Sequence, residues 1–171
     1  RNRALESVRK KIFDLAGLKR HHRVLVSDSG SGLLLWEALR HVPEGGVWAA
    51  LPRRSDFDIV SSYAERLSEI ERPLLFNADI FGLSGETLPP VDALLGRNLL
   101  TRVADKAAAL GALAAMLAPG GRLVLAETIP SLGSRLFESA GLEGLSDTLA
   151  EKLRAAEEAL YLGSPSDRFS W

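Results

Sequence analysis

The sequence has no cysteine and a single methionine, Met116, in 171 residues. Without cysteine, a disulfide scaffold, a thiolate zinc site and a cysteine nucleophile are excluded together. His21, His22 and His41 have no clustered carboxylates around them and form no zinc-ligand spacing, so no metal site is expected. Long apolar runs are also missing. The longest uncharged one, Ala107 to Ala118, is too short and too rich in alanine to span a bilayer, so no membrane partner is expected and the chain reads as cytoplasmic. Net charge is nearly absent, with 21 Lys+Arg against 22 Asp+Glu. Together with a 46% hydrophobic content, that excludes disorder as a description of the whole chain.

The length suits one domain with a real core, expected here over residues 1–171. Opening on Arg1, the chain reads as a piece of a longer protein. Its balanced charge conceals an asymmetry. Residues 1–23 carry eight basic residues (Arg1, Arg3, Arg9, Lys10, Lys11, Lys19, Arg20, Arg23) and two acidic ones (Glu6, Asp14), leaving seven net negative charges on the rest. A basic end on an acidic body suits a nucleic-acid contact or a docking surface, and equally a solvated helix face. No aromatics interleave with these cations as a single-strand binder requires.

Along the chain, strand and helix patterns alternate. Leu5, Val8, Ile12 and Leu15 mark an amphipathic helix that Gly17 stops. Arg23–Ser27 is a short β-rich run ending in Asp28-Ser-Gly-Ser-Gly32, and Leu33–Arg40 resumes helical spacing. Gly45-Gly46 is a turn before a second strand, Val47–Leu51. Ser55–Ile70 reads as a helix capped by Ser55, with Asp58 in a capping-box-like place and Phe57, Val60, Ala64 and Leu67 on one face. Leu74–Asp79 and Val91–Gly96 are further strands. Val103–Leu117 is a helix with Val103, Ala107, Leu110, Leu113, Ala114 and Leu117 inward, ended by Ala118-Pro-Gly-Gly121. Arg122–Thr128 is the fifth strand. Beyond it only helices are expected, near Ser134–Ala140 and over Ser146–Tyr161, the latter with Leu145, Leu149, Leu153 and Leu160 as its stripe.

This alternation predicts an α/β fold with a parallel sheet and helices on both faces. Ligands in such sheets sit beyond the carboxyl ends of the strands, where strand order reverses. The residues at that edge are Asp28 to Gly32, Leu51 to Arg54, Asp79 to Phe81 and Arg97 to Leu100. Gly30 and Gly32 let the backbone approach a ligand, and the following helix start can face a negative group. The nicotinamide fingerprint needs a third glycine, where Leu35 stands, and an acid closing the second strand; both are missing. Arg97 and Asn98 lie where a substrate would sit, or are helix-entry and solvent-facing residues. No catalytic acid or base is assigned.

Three stretches carry a resemblance: Val24-Leu-Val-Ser-Asp-Ser-Gly-Ser-Gly32, Val91-Asp-Ala-Leu-Leu-Gly-Arg-Asn-Leu-Leu-Thr101, and Leu117-Ala-Pro-Gly-Gly-Arg-Leu-Val-Leu-Ala-Glu127. Over about residues 18–130 the chain resembles class I S-adenosylmethionine-dependent methyltransferases. The resemblance implies a Rossmann-like three-layer sandwich with a five-stranded sheet of order 3-2-1-4-5; the hairpin the family adds after its fifth strand is not visible here. It implies S-adenosylmethionine as the ligand, at Asp28, Gly30, Gly32, Asp79, Ile80, Arg97 and Asn98. Asp79 matches the residue that reaches the adenine amino group. The chain departs from the pattern at Val26, where the family has an acid, and at Asp28, where it has a glycine. It departs again after the second strand, where Ala49 to Pro52 offer no acid for the ribose. Binding is therefore expected to be weak or absent.

More narrowly, Leu33–Val47 and Ala155–Tyr161 resemble the methyltransferase-like region fused behind clamp-loader-like AAA+ replication and recombination ATPases (RarA/MgsA type). That likeness implies an upstream ATPase domain as partner, with DNA contacted through Arg1–Arg23.

Overall fold

Val24–Val26 and Val91–Leu95 are almost uninterrupted apolar runs, the pattern of strands covered on both faces. In the computed structural model they form the middle of the sheet. The structure describes residues 2–27, 32–83, 88–101, 103–129, 135–139 and 144–161. Its elements are α1 (Asn2–Ala16), β1 (Arg23–Ser27), α2 (Leu33–His41), β2 (Gly46–Ala50), α3 (Arg54–Ala64), β3 (Leu74–Phe76), β4 (Val91–Arg97), α4 (Lys106–Ala114), β5 (Leu117–Ala126), α5 (Leu136–Ser139) and α6 (Asp147–Tyr161). Two compact units are formed, Arg1–Leu99 with Ala107–Ala126, and Leu100–Lys106 with Glu127–Trp171.

The first unit holds a five-stranded sheet of order β3-β2-β1-β4-β5, every pairing parallel, as expected from the sequence. Val24 and Val26 of β1, Val47 and Ala49 of β2, and Ala93 and Leu95 of β4 share one face, because alternate strand residues point the same way. Leu34, Leu35 and Ala38 of α2, Ile12, Phe13 and Ala16 of α1, and Val60 of α3 complete that core.

Several expectations are corrected. On α1, Leu5, Val8 and Leu15 are exposed; the buried residues are Ile12, Phe13 and Ala16. Two contacts fix this rotation. Phe13 stacks on His41 of α2 (centroids 4.8 Å apart), and Nη1 of Arg122 on β5 donates to the carbonyls of Leu15 (3.1 Å) and Ala16 (3.4 Å). The helix does end before Gly17, which adopts φ 57° and donates to Phe13 O.

α3 begins at Arg54 with Arg53 at the cap position, not Ser55, and Asp58 pairs with Arg54 (2.9 Å) instead of capping. It stops at Ala64, short of Ile70, where Arg72 bonds back to the carbonyls of Glu65 and Leu67. β3 is shorter than expected because the Asn77 side chain turns away to donate to Leu51 O (2.9 Å).

α4 is likewise shorter than Val103–Leu117. It buries Ala109 and Leu113, while Ala107, Leu110 and Ala114 are exposed. Val103 instead closes a separate turn onto Leu100 O, and Met116 O accepts from Val91 N, which draws Leu117 into β5. Ala118-Pro-Gly-Gly121 therefore lies inside β5 as an irregularity: Val91 pairs with Leu117 and Ala93 with Arg122. Gly120 there adopts φ 79°.

In the second unit, Glu127 Oε2 accepts from Leu100 N (3.2 Å), Thr101 N (3.0 Å) and Thr101 Oγ1 (2.9 Å), closing residues 100–101 onto the chain after β5. Buried Arg135 pairs with Glu158 (3.1 Å), and Phe137 N donates to Glu157 (3.3 Å). These contacts select the α6 face of Ala150, Leu153, Glu157 and Glu158. Leu145 and Leu149 of the expected leucine stripe are exposed; the Leu160 side chain lies outside the described residues. Among the described residues of this unit there is no strand, and no helix of the described chain is long and apolar enough to cross a membrane.

Candidate functional site

The carboxyl ends of the strands form one level row. Phe76 pairs with Ala50, Ala50 with Ser27, Ser27 with Gly96, and Gly96 with Leu125. Sequence reasoning put the site beyond this row. Of its residues there, Asp28 and Gly30 lie outside the described residues, while Gly32, Asp79, Ile80, Arg97 and Asn98 are described.

Gly32 opens α2 with φ 70°, and its carbonyl accepts the first helical bond from Trp36 N (3.0 Å). A Cβ at this position would lie 3.1 Å from Val60 Cγ2 and 3.2 Å from Trp36 Nε1. Glycine is thus needed twice, for its left-handed backbone and for the close approach of α3. Val26, where the resemblance calls for an acid, is 0% exposed among the apolar residues of the core. Its strand neighbours are Ala49 on β2 and Leu95 on β4, both fully buried.

Beyond β2, Leu51 is buried with both backbone groups engaged: its N–H donates to Phe76 O (2.9 Å) and its carbonyl accepts from Asn77. Pro52, Arg53 and Arg54 are exposed. The nearest acid after this strand is Asp56, buried in the first turn of α3, where a carboxylate suits the helix start. The sequence pattern does not single out Asp56, because a cap at Ser55 makes it an ordinary first-turn acid.

Asp79 is exposed after β3. Its Oδ1 accepts from Phe81 N (3.0 Å) and caps the 3-10 turn Ile80–Gly82. Ile80 is buried and anchors that turn in the core. At the end of β4, Asn98 adopts φ 53° and its N–H donates to Ala126 O (3.0 Å). Asparagine tolerates this left-handed backbone better than most residues. Leu99 folds back over Gly96, where an added Cβ would be 2.6 Å from Leu99 Cδ1 and 3.2 Å from Leu125 Cδ2. Arg97 and Asn98 are half-buried. Among the described residues just named, this edge offers the Asp79 carboxylate, the Arg97 guanidinium and the Asn98 amide, a set that binds polar groups. Among the described residues no cluster of His, Cys, Asp or Glu could hold a metal.

Two cavities in the first unit lie elsewhere. One of about 460 Å³ borders the start of β2 and the end of α2, at the opposite edge of the sheet. The other, about 510 Å³, separates α1 from Glu37 and His41 of α2.

Four basic residues of the amino-terminal segment are paired within the first unit. Lys10 bonds Asp14 (2.6 Å), Arg20 bonds Glu44 (2.8 Å), Arg9 Nε faces Glu37 at 3.8 Å, and Arg23 bonds Asp92 through both its backbone N–H (2.7 Å) and Nε (3.3 Å). Burial alone would raise Asp92, but the two Arg23 hydrogen bonds, together with the charge of Arg23 and the neighbouring His22, hold the carboxyl below its ordinary value. His22 beside it is lowered, mainly by burial, with Asp92 pulling the other way. Its Nδ1 accepts from Lys19 N (3.2 Å), as a neutral ring does.

Solved structures similar to this chain include several methyltransferases. Coclaurine N-methyltransferase, solved with N-methylheliamine and SAH bound, matches at 17% identity and a TM-score of 0.61, over 70% of this chain and 34% of its own. An SAM-dependent O-methyltransferase from Thermotoga maritima matches at 24% and 0.55, over 68% and 42%. Protein-L-isoaspartate O-methyltransferase matches at 22% and 0.59, over 72% and 37%. The chain thus spans between a third and a half of the length of these proteins, and the likeness establishes a methyltransferase-like fold. The sequence matches no protein-family model and no curated protein.

Proposed function

We propose that this chain is a methyltransferase-like domain whose S-adenosylmethionine site has degenerated, and that it serves as an accessory module of a AAA+ DNA replication and recombination ATPase. The observation that carries the first part is Val26, fully buried in an apolar core at the position where a ligand-holding acid is expected. The end of β2 supports it, since Ala49 to Arg54 include no acid to grip ribose hydroxyls. Two missing charge-assisted hydrogen bonds, at roughly 1.5–3 kcal/mol each, amount to about two to four powers of ten in affinity. The residues present therefore fit this ligand poorly. Calorimetric titration with S-adenosylmethionine and S-adenosylhomocysteine is expected to give no heat of binding in the micromolar range; micromolar binding overturns the proposal.

One observation favours a second reading, an active methyltransferase of unknown acceptor. Asp79 keeps an exposed carboxylate after β3, and methyl transfer needs positioning more than an acid or base. If micromolar binding is found, Asp79→Ala should weaken it at least tenfold.

The accessory role rests on the resemblance of Leu33–Val47 and Ala155–Tyr161 and on the basic residues 1–23. DNA contact through that segment requires its exposed ion pairs to exchange partners, which is cheap because such pairs contribute little. Association with duplex DNA should then weaken steeply between low and moderate salt; absent or salt-insensitive association removes DNA from the proposal. Reading the coding sequence upstream of Arg1 tests the partner: a AAA+ ATPase domain in the same chain is expected, and a different domain there removes the accessory role.

A further inference from the structure

The connection from α3 to β3, at the amino-terminal edge of the sheet, is a braced turn. Arg72 donates through Nε to Leu67 O (3.0 Å) and through Nη2 to Glu65 O (2.9 Å). Ser68 Oγ donates to Glu71 Oε2 (2.6 Å), and Glu71 N to Ser68 O (3.0 Å). On this turn the segment Glu69–Glu71 presents Ile70 at 94% exposure. Isoleucine is among the residues most often buried, and here it stands in water on a frame that costs little further ordering on contact. Beside it lies the cavity of about 460 Å³, with apolar walls from Trp36, Leu39, Val42, Val47 and Leu67 and the guanidinium of Arg40 among its lining groups. Leu74, which opens the edge strand, is exposed nearby in sequence.

A two-fold interface uses one patch on both partners, so a protrusion and its receptor must sit side by side. This patch meets that condition, because Ile70 itself lines the cavity. We propose that two copies of this chain associate through this face, Ile70 of each entering the cavity of the other, with Glu69 of each facing Arg40 of the other. Charge complementarity selects a second copy as the occupant: an acid-isoleucine-acid protrusion meets, on the same surface, a cavity whose apolar walls are bordered by two arginines, Arg40 and Arg72, against one acid, Glu71. Arg40 already contacts Glu37, but Glu37 also faces Arg9, so its one carboxylate is shared between two guanidinium groups. The exposed edge of β3 is only three residues long, too short to drive association by strand pairing, which leaves Ile70 as the anchor. This inference is independent of how the ligand edge is read.

Sedimentation velocity from about 2 to 200 μM, the range suited to a small interface, tests it. The expected result is a concentration-dependent dimer whose midpoint rises at least tenfold in Ile70→Asp, in Arg40→Glu and in Glu69→Arg. The double variant Arg40→Glu/Glu69→Arg should recover most of that loss. Leu15→Gln, at an exposed apolar residue of α1, should leave the midpoint unchanged. Ile70 and Glu69 are surface residues, so unaltered circular dichroism and melting should separate loss of association from loss of fold. A monomer throughout the range, a dimer indifferent to Ile70→Asp, or a double variant no better than the single ones overturns the proposal.

Discussion

Replacing Val26 by aspartate restores the acid that methyltransferases carry at this position, yet the structure predicts that it damages the fold before it helps a ligand. Val26 is 0% exposed, and every residue of the cluster around it is apolar. A carboxylate there has no donor and would be held protonated, its pKa raised by about 3–5 units from roughly 3.9. Keeping it neutral at pH 7 costs about 1.36 kcal/mol per unit, roughly 4 kcal/mol, and burying the neutral carboxyl without a partner adds about 1–3 kcal/mol. Set against a total stability of about 5–15 kcal/mol, this is a severe loss.

The sign of the pH dependence separates this account from simple misfit. Between the unfolded and the raised folded values, the folded variant binds more protons than the unfolded chain. Its deficit relative to wild type therefore grows as pH rises, by about 2.7 kcal/mol from pH 5 to pH 7. Val26→Asn, close in size and not titratable, should show a deficit that does not change with pH. Urea unfolding of the three proteins at pH 5, 6 and 7, followed by tryptophan fluorescence, makes the measurement. A Val26→Asp variant within 1 kcal/mol of wild type at pH 7, or a deficit equal at all three pH values, refutes the reasoning. If Val26→Asp/Asp28→Gly also gains micromolar S-adenosylmethionine affinity, the strand end is a ligand site and not sealed core.

Gly96→Ala should lower stability by about 1–3 kcal/mol, since the new methyl would meet Leu99 and Leu125 in the middle of the row of strand ends; an unchanged melting temperature would mean that Leu99 moves aside freely. Arg122→Met should cost about 1 kcal/mol by removing the guanidinium from the last carbonyls of α1, and hydrogen exchange should accelerate in that helical turn while β1 stays protected. Acidification should destabilise the chain in two steps. The His22 step comes first: its folded pKa is lowered, so the unfolded chain takes up the proton earlier and stability falls as pH drops through about 6.5. The Asp92 contribution is present above its unfolded value and lost as pH falls through its lower folded one; urea midpoints from pH 7 to pH 3 should lose this second step in Asp92→Asn, while the His22 step grows because the charge that pulls His22 upward is gone. Glu127→Gln should weaken the second unit by about 1–2 kcal/mol, because an amide oxygen accepts the three donors of Leu100 and Thr101 less strongly than a carboxylate; identical unfolding curves would count against it.

The strands and their order were legible because a parallel sheet writes itself in apolar runs separated by turn residues, and β1 and β4 contain little else. The helix faces were not. α1 has apolar residues on two adjacent flanks, so periodicity allows either, and the choice falls to Phe13 meeting His41 and Arg122 meeting the helix end. Those partners are 28 and more than 100 residues away, beyond any local pattern. In α4 the sequence is mostly alanine, which lacks the contrast between faces that a pattern needs, and in α6 the pairing of Glu158 with buried Arg135 overrides the leucine stripe.

The candidate edge was legible as a place but not as a function, and the reason is physical. Its position follows from topology, since parallel strands of this order must bring Ser27, Ala50, Phe76 and Gly96 into one row. What the row does depends on single side chains that the scaffold does not require. Val26 suits the apolar core, Asp79 has a local task in capping the turn at Phe81, and Asn98 suits the left-handed backbone at the end of β4. Asp79 and Asn98 therefore each have a structural use that would preserve them after ligand binding was lost. For that reason affinity for S-adenosylmethionine, and not further geometry, separates a degenerate site from a working one, and the Val26→Asp series shows which of the two the core would now permit.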